Sequence, residues 1–168
     1  MPSVTRRIRN DAAAWRPSVA PILDEFSKAI IEQLQEDGRR PYSTIGKAVG
    51  LSEAAVRQRV QRLIDSGVMQ IVAVTDPLQV GFTREALIGV TVNGDVTPVV
   101  ETLAAMPEVT YCVITAGSFD VICEVVCEDD DHLFDVINRR IRTIPGVRGT
   151  ESFVYLKLSK QTYAWGTR

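Results

Sequence analysis

The chain has 168 residues, 45% of them hydrophobic, with 19 Lys and Arg against 21 Asp and Glu for a formal net charge of -2; this suits one ordinary domain or two small ones with globular cores. No uninterrupted apolar run approaches a membrane span and the N-terminus lacks the hydrophobic core of a secretory signal, so a cytoplasmic protein with no membrane partner is expected. Three cysteines, Cys112, Cys123 and Cys127, form no CxxC pair and have no histidine partners, which favours reduced core thiols over a zinc or other metal site.

Residues 1–21 contain Pro2, Pro17 and Pro21, carry Arg6, Arg7, Arg9 and Arg16, and have little apolar periodicity. They read as a flexible basic arm, which could follow DNA phosphates or serve as a solubilising tail. Trp15 argues for docking somewhere. A first helix is expected over Leu23 to Glu36, with Phe26, Ile30, Ile31 and Leu34 on one side and Asp37-Gly38-Arg39 closing it.

From Pro41 to Gly67 a short helix, a Gly50-Leu51-Ser52 turn and a second, arginine-bearing helix follow in order, the layout of a DNA-reading helix-turn-helix. Gly50 can take the positive φ that ends one helix, and Ser52 can accept a backbone N–H as N-cap of the next. Leu51 would plug the corner between them. In the second helix Val56, Val60 and Leu63 recur at i, i+4 and i+7, so one stripe faces a core. The opposite face presents Ala54, Gln58, Gln61 and Arg62, with Arg57 and Arg59 flanking it.

That face suits a major groove. Gln can pair with adenine N6 and N7, Arg with guanine O6 and N7, and Ala with a thymine methyl, while flanking arginines reach phosphates. Glu53 repels phosphate, so it reads a cytosine N4 or supports the helix N-terminus. Arg59 lies beside the apolar stripe and could equally hold an intramolecular carboxylate. The DNA-facing set is therefore Ser52, Glu53, Ala54, Arg57, Gln58, Gln61 and Arg62.

The near-neutral total charge hides two opposite halves. Residues 1–75 carry 11 Lys and Arg against 8 Asp and Glu, a net +3, whereas residues 76–168 carry 8 against 13, a net -5. Nucleic-acid affinity belongs to the first half. Val68 to Val74 then reads as a strand, and Asp76-Pro77 with Gly81 marks a linker.

The second half alternates β-rich runs at Ala86 to Val92, Val109 to Ala116, Val121 to Val126 and Ser152 to Leu158 with helical patterns at Thr97 to Met106 and His132 to Ile144. The order βαββαβ suits a ferredoxin-like sandwich in which two helices cover one face of an antiparallel sheet. Its other face carries bulky apolar residues and is expected to dimerise.

Leu23-Asp24, Leu34 through Arg39, Gly50-Leu51-Ser52, Val56-x-x-Arg59-Val60-x-x-Leu63 and Gly67-Val68 resemble the Lrp/AsnC feast/famine transcription regulators. In the second half Gly117-Ser118-Phe119-Asp120 resembles that family's Gly-x-aromatic-Asp effector loop, and Ile144-Pro145-Gly146-Val147 with Thr150-Glu151 resembles the approach to its last strand. The resemblance covers about residues 22 to 160. It implies an α+β protein: a three-helix winged helix-turn-helix domain at 22–70, a strand and linker at 71–84, and an ACT-like RAM domain for effector sensing and oligomerisation at 85–168. It further implies double-stranded DNA as partner, an amino acid as effector and no other cofactor, and a homodimer assembling to a tetramer or octamer.

In the implied effector site Gly117 lets backbone approach the ligand, Phe119 covers it and Asp120 attracts an ammonium group, with Ser118 between them. The alternative is a plain hairpin, with Gly117 and Asp120 shaping the turn and Phe119 in the core. Ala116 replaces a threonine often found before the glycine, Ser27 stands where a second aspartate is common, and the arm before Leu23 is longer than the pattern. Relatives of the fold, the sirohaem decarboxylases, use histidine and arginine in the second lobe, but here Thr110 to Thr115 holds neither. The single His132 follows Asp129, Asp130 and Asp131, which read as a helix N-terminal cap. No catalysis is expected, and the remaining alternative is an architectural protein that wraps DNA without an effector.

Overall fold

The computed structural model describes residues 23–168, so the arm expected at 1–21 lies outside the described residues. They form two units, one comprising the chain up to Ala73 together with Lys160–Arg168, the other Val74–Ser159.

The first unit is built on three helices. Asp24 caps α1 (Glu25–Glu36), its Oδ1 accepting the Ser27 N–H at 2.8 Å, which satisfies a donor that the first turn leaves unpaired. Helix α2 (Tyr42–Val49) ends at Gly50, whose φ of 75° turns the chain out of the helix. Ser52 then caps α3 (Glu53–Asp65), its Oγ accepting the Ala55 N–H at 3.2 Å. Val56 and Val60 of α3 pack with Ile30, Leu34 and Ile45, and Leu51 seals the corner between α2 and α3. Gly46 is required there, because a Cβ at that position would lie 2.5 Å from the Leu51 carbonyl oxygen.

The strand expected at 68–74 is not formed: residues 69–76 carry no regular structure. A β-branched run becomes a strand only beside a partner that takes its backbone N–H and C=O groups, and none adjoins this one among the described residues. Ile71, Val72 and Val74 are exposed there. A short 3-10 turn at Pro77–Gln79 follows.

The second unit has the expected order of elements: β1 (Arg84–Val92), α4 (Thr97–Ala104), β2 (Val109–Ile114), β3 (Val121–Cys127), α5 (Asp130–Asp135, continuing as a π-helical turn through Ile141) and β4 (Val147–Val154). The sheet order is β2-β3-β1-β4, all neighbours antiparallel. Ile88 lies between Cys123 and Ser152, and Leu87 between Glu124 and Phe153. Since neighbouring residues point to opposite faces, Ala86, Ile88 and Val90 meet Val99, Leu103, Val136 and Ile141 in one core. Leu87 and Phe153 share the other, uncovered face.

The last strand is displaced from the expected 152–158. Residues Val147 to Gly149 already pair with Val92 and Thr91, and beyond Val154 only Tyr155 reaches β1, its N–H donating to the Glu85 carbonyl at 2.9 Å. Strand β1 begins at Arg84, so residues further on have no strand to pair with among the described residues. Asp129 caps α5 by accepting the His132 N–H at 2.7 Å, as the acidic run suggested. Residues 160–168, counted with the second domain from sequence, lie with the first unit instead. The Gly166 N–H donates to Gln35 Oε1 at 3.1 Å and the Thr167 hydroxyl to Glu32 Oε1 at 2.6 Å, using acceptors on the polar side of α1.

Replacing Gly46 by Ala is expected to destabilise the helix-turn-helix unit by about 1 to 3 kcal/mol, since backbone must move to admit the methyl group. Hydrogen exchange over residues 25–65 checks this: amides of α2 and α3 should lose protection while those of β1 and β3 keep theirs.

Candidate nucleic-acid interface and effector loop

Burial of Val56, Val60 and Leu63 turns the other side of α3 outward. Ala54, Arg57, Gln58, Gln61 and Arg62 are all exposed on it, as are Ser52 and Glu53 at its start. They differ in what already holds them. Arg57 donates to Glu53 Oε1 at 2.6 Å, and its guanidinium carbon sits 5.5 Å from the centre of the Tyr42 ring. Gln61 donates to Asp65 Oδ1 at 2.8 Å. Gln58 and Arg62 have no side-chain hydrogen-bond partner among the described residues, so their donors and acceptors are available to base edges without first breaking a bond.

Arg59 resolves the other way. Its Nη1 donates to Asp24 Oδ2 at 2.6 Å and to Ser27 Oγ at 3.3 Å, and its guanidinium carbon stands 5.4 Å from the Phe26 ring centre. It ties α3 to the start of α1 across 35 residues of sequence, so it belongs to the scaffold that sets the rotation of α3. Ser27 serves the same joint. The Ser27 hydroxyl and backbone N–H, with the Arg59 guanidinium, hold the Asp24 carboxyl down at about 2.

The segment Gly117, Ser118, Phe119 and Asp120 joins β2 to β3. The Thr115 N–H donates to the Asp120 carbonyl at 2.9 Å and the Thr115 hydroxyl to the Phe119 carbonyl at 2.6 Å, closing the turn. Phe119 lies on the uncovered sheet face, against Gly89 and edge-on to Phe153 with ring centres 6.3 Å apart. Gly89 makes room for it: a Cβ there would come 2.6 Å from the ring. Asp120 Oδ2 accepts the Val92 N–H at 2.7 Å, at the point where the β1–β4 register slips between Thr91 and Val92. Its Oδ1 has no partner among the described residues. A Cβ at Gly117 would meet nothing within 4 Å, so packing within the chain does not require glycine there. Ser118 is exposed beside it.

Sequence reasoning missed a second charged cluster. Glu108 Oε1 accepts from Arg140 at 2.6 Å and lies 3.5 Å from His132 Nε2, whose ring Nδ1 accepts the Glu128 N–H at 3.2 Å. Burial works to raise the Glu108 carboxyl, but its hydrogen bonds, led by that from Arg140, hold it below its ordinary value. The residues are 24 and 32 positions apart, so no local pattern joins them. Cys112, Cys123 and Cys127 carry free thiols, and burial pushes Cys123 up to about 12 and Cys127 up to about 11. Among the described residues no helix is long and apolar enough to cross a membrane.

The chain matches the AsnC-type helix-turn-helix domain over residues 23–64 and, over residues 82–168, a C-terminal dimeric alpha+beta barrel domain of the AsnC regulators. It is 37% identical over 144 residues to an HTH-type transcriptional regulator of Pyrococcus abyssi, covering 84% of this chain and 91% of that one. It is also 35% identical over 142 residues to the HTH-type transcriptional regulator FL11 of Pyrococcus horikoshii, covering 83% and 93%. Among solved structures it is similar to a transcriptional regulator of Neisseria meningitidis in complex with L-Met. That likeness has a TM-score of 0.74 at 25% identity, over 84% of this chain and 95% of that one.

Asp24 titrates lower in the folded chain than in the unfolded one, so its contribution to stability is complete above about pH 4. It is lost as pH falls through that value toward about 2. Denaturation monitored across this window should show a steeper acid loss for wild type than for Asp24→Asn, which has no such carboxyl to protonate.

Proposed function

The chain belongs to the Lrp/AsnC family of transcription regulators, and from that membership we propose that it binds specific operators and regulates amino-acid or related metabolism in response to an amino acid. The family and the relatives are DNA-binding regulators and not enzymes, and the C-terminal domain is of a dimeric type. Residues 22–70 read DNA, 71–84 connect, and the domain from residue 85 senses the effector and assembles the oligomer. Leu87 and Phe153 on the uncovered sheet face supply apolar surface for a second copy, and dimers associate further into tetramers or octamers.

The observation that carries the reading is the state of α3. Its apolar stripe is buried and two side chains of base-reading chemistry, Gln58 and Arg62, stand exposed without partners among the described residues. Gln58 lies in the N-terminal half of α3, where a helix in the major groove makes its base contacts, and Arg62 extends the same face into the last turn. Ser52, Glu53, Ala54, Arg57 and Gln61 complete the contact face. Modulation by an amino acid is supported by the L-Met bound to the Neisseria relative and by the uncommitted Oδ1 of Asp120, a site for an ammonium group beside Gly117, Ser118 and Phe119. A regulator that binds operator DNA acts where that DNA is, in the cytoplasm.

Binding of the purified protein to its own upstream DNA and to a scrambled duplex, with and without the twenty amino acids, tests this. Preferential binding that shifts with one amino acid is expected; equal, amino-acid-insensitive binding would instead fit an architectural role. Gln58→Ala and Arg62→Ala should each cost about 1 to 3 kcal/mol on the preferred site and much less on the scrambled one. Equal losses on both duplexes would remove the base-reading assignment. Asp120→Asn, whose amide oxygen can still accept the Val92 N–H, should weaken the amino-acid response and leave affinity for DNA in the absence of effector unchanged.

A further inference from the structure

We propose that Glu53 is a specificity-determining residue, which keeps Arg57 away from the DNA backbone until a base engages the Glu53 carboxylate. The inference rests on the reading of α3 as the DNA-facing helix.

Arg57 is held from two elements at once. Glu53, one turn earlier on α3, accepts its Nη2 at 2.6 Å, and Tyr42 at the start of α2 presents its ring 5.5 Å from the guanidinium carbon. The planar guanidinium can satisfy a carboxylate in its plane and an aromatic ring on its face together. Both partners are within reach of solvent, with 65% of the Arg57 side chain and 50% of the Glu53 side chain exposed, so the pair is restraining rather than rigid. An exposed pair of this kind is weak and opens readily.

Opening it has unequal consequences on different DNA. On a random duplex, moving Arg57 to a phosphate leaves Glu53 unpaired at the first residue of α3, where it faces a polyanion. The closed pair is then the lower state, and the protein makes one phosphate contact fewer. At a site that places a cytosine under the start of α3, the Glu53 carboxylate accepts from the cytosine N4 amino group. Arg57 is released without stranding a charge and takes a phosphate. Phosphate contact thus becomes conditional on the correct base, an arrangement in which a repulsive group discriminates against wrong partners.

The test is the salt dependence of full-length wild type, Glu53→Gln, Arg57→Ala and the double variant, on the protein's own upstream DNA and on a random duplex. Each phosphate contact adds about 0.9 to the log–log slope. Wild type should therefore show a slope steeper by about 0.9 on its upstream DNA than on random DNA. Glu53→Gln should close that gap by steepening the random-duplex slope and tightening random binding roughly two- to fivefold. In the Arg57→Ala background the Glu53 change should leave both slopes where they are, because no arginine remains to be released, while random binding tightens as the unpaired carboxylate is neutralised. Unchanged slopes in Glu53→Gln with binding retained would overturn the proposal, and so would an equal steepening of the random-duplex slope in the Arg57→Ala background, which would mean that Arg57 is not the group Glu53 withholds. Failure of wild type to bind either duplex would overturn both this role and the DNA-facing assignment of α3.

Discussion

The rotation of α3 about its own axis decides what the first unit can do, and that rotation follows from the burial of Val56, Val60 and Leu63. Three apolar side chains on one stripe leave a helix a single comfortable orientation. Val56 and Val60 find theirs against Ile30, Leu34 and Ile45. Arg59, paired to Asp24 and laid over Phe26, locks the same angle from the edge of the stripe. The Gly50 and Ser52 turn places the start of α3 at the corner with α2, and Gly46 lets the corner close. Gln58 and Arg62 face outward because everything else about the helix is already committed.

The second unit works by a comparable allocation. Strand β1 lies in the middle of the sheet, so its inward residues make the core while Gly89 on its outer side leaves room for the Phe119 ring. Asp120 reaches from the β2–β3 connection to the Val92 N–H, covering a backbone donor exposed by the register slip. One carboxylate oxygen therefore serves the fold, and the other has no partner among the described residues. The two readings of this loop, turn-former and proposed effector contact, do not compete in Asp120, because the turn occupies only one of its two oxygens. Gly117 is different, because no contact among the described residues accounts for it.

Much of this was legible in the sequence wherever a short-range rule governs. Helical spacing exposed the buried stripe of α3, Gly50 and Ser52 announced the turn, and the alternation of β-rich and helical runs gave βαββαβ. What stayed hidden depends on partners distant in sequence. Residues 68–74 have the composition of a strand, yet composition does not supply a neighbour. The start of β4 was missed because Gly146, Arg148 and Gly149 look like loop residues, and only the extent of β1 makes Val147 to Gly149 pair. The Arg59–Asp24 and Arg140–Glu108 bonds join residues 35 and 32 positions apart. The chemistry of each side chain was visible, but whether it was free or already occupied was not, and that distinction separates Gln58 and Arg62 from Arg57 and Gln61.

Guanine N7 methylation interference on the protein's own upstream DNA would decide whether the outward face of α3 reads base edges in the major groove, as proposed. Methylation there blocks the acceptor that an arginine such as Arg62 would use. The account predicts loss of binding when particular guanines are methylated, with that sensitivity absent in Arg62→Ala. Binding indifferent to methylation at every guanine N7, together with interference from minor-groove adenine N3, would contradict it.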